Sequence, residues 1–156
     1  MKNIFRIAFA VTLLLFNGCT DKKAVIDQNT PIPDHSWTYA NKFQYDVKID
    51  DISVPYNFYM NLRVTADYKF MNLFVLINQT APDKKSNVKR YELTLADKSG
   101  EWLGEGSGNL YSYQLPFITN YKFPLKGTYH FYIEQNMREN PLKEVNDVGL
   151  RVEKAR

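Results

Sequence analysis

The chain has 156 residues, a net charge of +3, 15% aromatic residues and a single cysteine. This length makes one folded domain whose core needs no cross-links, and one cysteine leaves no intrachain disulfide. Lys2 and Arg6 carry two of the positive charges; without them the balance falls to +1, which removes the electrostatic case for nucleic-acid binding.

The chain opens as a secretory signal. Lys2 and Arg6 form a short basic start, Ile7 to Phe16 is apolar except for Thr12, and Asn17, Gly18 and Cys19 follow. The apolar run is about half of the ~20 residues that a membrane-spanning helix requires. A small residue directly before the only cysteine fits lipoprotein processing, which cleaves after Gly18 and leaves Cys19 as a lipidated first residue. Two or three acyl chains hold a protein on a membrane, whereas one holds only marginally. An ordinary signal peptide with an incidental cysteine is the alternative. Residues 19–36 contain Gln28, Asn29, Pro31, Pro33, Asp34 and Ser36 without periodicity, and they read as a flexible tether to a domain over 37–156.

From Trp37 the pattern is that of strands. Phe43, Tyr45, Val47 and Ile49 alternate with polar residues. Tyr56, Phe58, Met60, Leu62 and Val64 then alternate with Asn57, Tyr59, Asn61, Arg63 and Thr65. The same period of two recurs at Tyr91–Leu95, Tyr111–Phe117, Tyr129–Ile133 and Val148–Val152. Phe70 to Ile77 is nearly all apolar and predicts a central strand buried on both faces. Asp50–Asp51, Thr80 to Asn87, Asp97 to Gly100 and Lys126–Gly127 carry turn chemistry. Asn136 to Asn146 does not alternate, and Pro141 interrupts it, which predicts a short helical turn or loop. About seven or eight strands in this arrangement predict an all-β antiparallel sandwich, jelly-roll or immunoglobulin-like.

No catalytic set emerges, and the chain reads as a non-enzyme with no cofactor and no small-molecule substrate. The two histidines are His35, in the tether, and His130, on the polar face of its strand, so a metal site lacks ligands. Gly104-Glu105-Gly106-Ser107-Gly108 fits neither G-x-S-x-G nor G-x-G-x-x-G, and a bulge or wide turn accounts for it. The aromatic residues either fill the core or form an exposed row. Such a row, through Trp102, Tyr111 and Tyr113, would stack on a glycan or peptide.

One ordered set of residues carries a resemblance. It comprises Trp37, Arg63 with Tyr68, Asn72–Leu73, and Leu95-Ala-Asp-Lys-Ser-Gly-Glu-Trp-Leu-Gly104, which includes Gly100 and Trp102. Later come Phe123-Pro124, Gly127-Thr-Tyr129, Gln135-Asn-Met-Arg138, Pro141-Leu142 and Asp147-Val-Gly-Leu-Arg-Val-Glu153. From about Trp37 to Glu153 the chain resembles the gliding-motility lipoprotein family GldH of the Bacteroidetes. The resemblance implies an outer-membrane lipoprotein that supports the assembly of other gliding lipoproteins, beside type IX secretion, with no catalytic residues. Thr20-Asp-Lys-Lys23 lacks an acidic surface-export tag after Cys19, so the expected facing is periplasmic. Trp37, Arg63, Asn72, Gly100, Trp102, Gly104, Met137, Arg138, Asp147 and Gly149 are the motif residues expected to shape the domain. Trp102 is expected in the core beside the glycine turn, and Arg138 is expected to pair an acid such as Asp147 or to cap carbonyls.

Overall fold

A computed structural model describes residues 23–106 and 108–155. Ten strands run in chain order: β1 (Ala24–Pro31), β2 (Ser36–Trp37), β3 (Phe43–Ile49), β4 (Tyr56–Thr65), β5 (Asn72–Thr80), β6 (Ser86–Thr94), β7 (Leu110–Tyr121), β8 (Gly127–Gln135), β9 (Leu142–Lys143) and β10 (Val145–Lys154). They form two antiparallel four-stranded sheets, β1-β10-β4-β7 and β3-β8-β5-β6, and a small β2-β9 ribbon. The two sheets enclose one core, so the all-β sandwich expected from the alternation is the fold.

The alternation explains which side chains fill that core. Tyr45, Val47 and Ile49 point inward from β3, and Phe58, Met60, Leu62 and Val64 from β4. Tyr129, Phe131 and Ile133 meet them from β8, and Val148, Leu150 and Val152 from β10. Most of the described aromatic residues lie in the core or pack against it. Phe58 touches the rings of Phe117, Tyr121, Phe123 and Phe131 at 5.4–5.9 Å between centroids, and Phe123 lies 4.5 Å from Tyr129. Edge-to-face and tilted pairs of this kind add to what burial alone supplies.

Three expectations are corrected. Residues 24–36 are not a tether. β1 pairs along its length with β10, Ile32 is buried, and Trp37 of β2 is fully buried against β9. As an edge strand, β1 is held by main-chain hydrogen bonds and leaves most of its side chains in water, so it carries no apolar period. β5 is central in its sheet but buried on one face only. Leu73, Val75 and Ile77 point inward, while Phe74 lies half-buried beneath the Arg90 guanidinium, 3.7 Å from its ring centroid. Finally, the segment after β8 is a loop that leads into β9, and β10 begins at Val145, inside the stretch read as irregular.

Buried tyrosines make the fold sensitive to alkali. Burial pushes the Tyr45 phenol from its ordinary 10.0 up to about 12, and burial likewise raises that of Tyr68. Their hydroxyls donate to the carbonyls of Val148 (2.7 Å) and Asn72 (3.1 Å). Below pH 10 both states keep these protons, so the contribution is intact. Between pH 10 and 12 the unfolded chain ionises first, and stability falls. Urea midpoints followed by tryptophan fluorescence are expected to be level up to pH 10 and to drop steeply by pH 12. A level midpoint through that window would contradict the burial of these hydroxyls.

Candidate functional site

The outward positions of the β1-β10-β4-β7 sheet form a polar cleft of about 780 Å³. β1 supplies Asp27 and Asn29, β4 supplies Asn61 and Arg63, β7 supplies Ser112 and Gln114, and β10 supplies Asp147. The loop after β6 lays Leu103 and Glu105 along the rim. It is pinned there by reciprocal main-chain bonds between Glu105 and Ser112, both 2.8 Å. These bonds also cap part of the β7 edge, where unpaired main-chain groups would otherwise face water.

A chain of hydrogen bonds crosses the floor. Asn61 Nδ2 donates to Asp27 Oδ1 (2.7 Å) and Asn29 Oδ1 (3.0 Å), while Asn61 Oδ1 accepts from Gln114 Nε2 (3.1 Å). Arg151 Nη1 holds the other oxygen of Asp27 at 2.7 Å. The network bridges β1 and β4 although β10 lies between them, because the residue beneath it is Gly149, paired with both Asn29 and Asn61. A Cβ at Gly149 would stand 2.1 Å from Asn29 Oδ1 and 2.4 Å from the Gln28 carbonyl oxygen. The Asn29 amide can swing aside, but the Gln28 main chain cannot without moving β1. Gly149→Ala is therefore expected to cost about 1–3 kcal/mol, as overpacking does. Amide exchange should accelerate in β1 ahead of the other strands; uniform exchange would contradict this placement.

Asp147 lies at one end of the floor with its side chain 2% exposed. Arg63 Nε and Nη2 both donate to Oδ2 of Asp147, and Asn146 Nδ2 reaches the same oxygen at 2.9 Å. The carboxylate that accepts these bonds holds the Arg63 guanidinium above its ordinary pKa. The other oxygen, Oδ1, is buried without a hydrogen-bond partner among the described residues. Both floor carboxylates thus face a guanidinium, which suits recognition of a polar surface better than proton transfer.

The structure brings Arg63, Asp147 and Gly149 together in this cleft. Arg63, not Arg138, is the partner of Asp147; Arg138 is exposed in the loop after β8. Trp37 and Met137 are instead both bonded to Gln135, at one end of the sandwich. Gln135 Nε2 donates to the carbonyls of Trp37 (3.4 Å) and Glu139 (3.1 Å), and its Oε1 accepts from the Met137 amide (2.8 Å). The Met137 sulfur in turn lies 3.2 Å from the Phe74 amide. Asn72 opens β5 and donates to Glu92 at 2.6 Å. Gly100 takes φ +87° in a turn in which Asp97 Oδ1 accepts from the amides of Ser99 (2.8 Å) and Glu101 (3.0 Å). Gly104 lies against the Tyr113 ring with no room for a Cβ.

Trp102 is half-buried rather than core. Its ring covers Tyr111 at 5.5 Å and Tyr68 at 6.4 Å. Tyr113 is buried, with its hydroxyl on the Leu95 carbonyl at 2.9 Å. Trp102, Tyr111 and Tyr113 therefore do not form an exposed stacking row. His130 bonds Asp46 at 2.7 Å on the outer face of the other sheet. Asp27, Asn29, Asn61 and Gln114 belong to no motif in the sequence. Their one signal is that polar residues recur at outward positions of strands that are not neighbours in sequence. Cys19 and Ser107 lie outside the described residues.

Comparison with known proteins adds a family. The sequence model of the family described as GldH lipoprotein matches residues 24–152. A gliding motility lipoprotein GldH homolog of Christiangramia forsetii is 32% identical, with 99% of both chains covered. The gliding motility lipoprotein GldH of Flavobacterium johnsoniae is 29% identical, with 94% of both covered. Among solved structures, a carbohydrate-binding module specific for non-crystalline cellulose aligns at a TM-score of 0.47 and 10% identity, over 85% of this chain and 74% of that one.

Proposed function

The chain belongs to the GldH lipoprotein family, and from that premise we propose that it is a lipid-anchored assembly component of a gliding-motility apparatus. In this reading Cys19 carries the lipid, the protein sits on the outer membrane facing the periplasm, and it supports other gliding lipoproteins beside type IX secretion. The observation that carries the reading is the near full-length likeness to two proteins named as gliding motility lipoproteins. The domain suits such a role. Its cleft presents amides, carboxylates and a guanidinium held in place by one another, and pre-ordered polar groups dock a partner at little entropic cost.

The test is deletion of the gene, scored for colony spreading and for the levels of the other gliding lipoproteins. Complementation uses wild type and Cys19→Ala. Loss of spreading and of those proteins, restored by wild type and not by Cys19→Ala, is the expected result. Normal spreading with normal levels would refute the assignment.

The cleft favours a second reading. Its floor sets the amides of Asn61 and Gln114 beside the Asp27 carboxylate, groups of the kind that pair with sugar hydroxyls, which would make the domain a glycan-binding module. Calorimetric titration of the detergent-solubilised protein with soluble oligosaccharides, repeated on Asn61→Ala, tests it. Binding that Asn61→Ala abolishes supports this reading, and no heat from any sugar removes it.

A further inference from the structure

The pairing of β1 with β10 limits how far the domain can stand from its membrane. A tether ending at Trp37 would reach roughly 60 Å from Cys19, whereas β1 begins at Ala24, only five peptide steps from Cys19, at most about 18 Å when extended. Lipid at Cys19, on which this inference rests, therefore brings one end of the sandwich to the bilayer.

The pairing identifies that end. Ala24 lies opposite Glu153, Lys154 opposite Tyr56, and Tyr56 opposite Tyr121. Ile49 lies opposite Gly127 in the other sheet, and a Cβ on Gly127 would meet Pro82 at 2.9 Å. Loops 50–55, 81–85 and 122–126 thus share this end with Lys23 and Ala155. The Ala155 amide donates to the Pro55 carbonyl at 2.9 Å.

Its charge differs from that of the opposite end. Lys23, Lys84, Lys85, Lys122, Lys126 and Lys154 are all exposed here, against Asp50, Asp51 and Asp83. The opposite end, built from loops 32–35, 38–42, 66–71, 95–109 and 136–141 with Lys143 and Glu144, carries seven acids against five lysines and arginines. Ile52 and Leu125 project from the lysine-bearing end with 38% and 39% of their surface exposed. Lysines with long apolar stems beside single apolar residues suit the phosphate layer of a bilayer, where the ammonium meets phosphate and the stem lies against the headgroups.

We propose that the end formed by loops 50–55, 81–85 and 122–126 rests on the phospholipid phosphates of the membrane that holds the Cys19 lipid, so that the domain has one fixed orientation. The opposite end then faces away from the lipid. Its exposed Met71 and Leu103, 49% and 57% exposed, are left for protein contacts.

The experiment uses the full-length lipidated protein in vesicles of phosphatidylethanolamine and phosphatidylglycerol. Leu125→Cys and Met71→Cys are each labelled with an environment-sensitive fluorophore, Cys19 being blocked by its lipid. On reconstitution, acrylamide quenching of the label at 125 is expected to fall several-fold, while that at 71 stays as in detergent. Lys122→Glu with Lys126→Glu, or 1 M salt, where the screening length is about 3 Å, should restore quenching at 125. Equal quenching at both positions in protein that floats with the vesicles overturns the orientation and leaves the anchor standing. Protein that does not float, with no lipid mass on Cys19, overturns the anchor and the orientation with it.

Discussion

Trp37→Ala is expected to lower the unfolding free energy by about 4 kcal/mol, the middle of the range for deleting a buried tryptophan. The indole is fully buried, 5.7 Å from the Phe43 ring, and its Nε1 donates to the Asn41 carbonyl at 2.8 Å. Its main chain pairs with Leu142 of β9, and its carbonyl accepts from the buried Gln135. The substitution thus opens a cavity at the place where β2, β9 and the loop after β8 are joined. Against a typical total of 5–15 kcal/mol, that is about a quarter or more of the stability of the domain. Urea unfolding followed by circular dichroism measures it. Trp102→Ala is the internal comparison: that ring is half-buried, so its loss should be clearly smaller. Equal losses at the two tryptophans would contradict the burial difference.

Arg63→Ala is expected to cost roughly 2–3 kcal/mol, somewhat below the range for breaking a buried ion pair. The discount arises because the Arg63 side chain is 44% exposed, so water can enter where it was, whereas that of Asp147 is 2% exposed. Without Arg63, Asp147 retains only the Asn146 amide on one oxygen and nothing on the other among the described residues. The converse change, Asp147→Asn, leaves a guanidinium that solvent can reach and should cost about half as much. The asymmetry is the informative quantity, since a simple surface pair would lose little and equally from either side. Chemical denaturation of both variants at neutral pH decides it, and equal small losses would remove Asp147 from the buried class.

These two sites show how unevenly the sequence reveals the molecule. The inward faces of β3, β4, β8 and β10 were legible because each residue's alternation is set by its own strand, and burial imposes that period locally. Trp37 was legible as a domain residue but not as a member of a two-residue ribbon, since Leu142, its pairing partner, lies far along the chain. Arg63 and Asp147 both stood in the family motifs, yet the sequence alone offered Arg138 as the cation. Nothing within a strand states which strand lies beside it.

The amino-acid sequence by itself determined the all-β class, the core faces and the turn chemistry at Asp51, Asp97 and Gly100. These follow from local physics: period-two burial and side-chain bonds spanning two to four residues. Tertiary structure alone decided that polar residues 24–31 are an edge strand, because main-chain hydrogen bonds to β10 hold that strand whatever its side chains are. It also decided the cleft, whose floor joins Asp27, Asn61, Gln114 and Asp147 from four strands. Their proximity depends on strand order and register, which are set by packing of the whole sandwich rather than by any one segment.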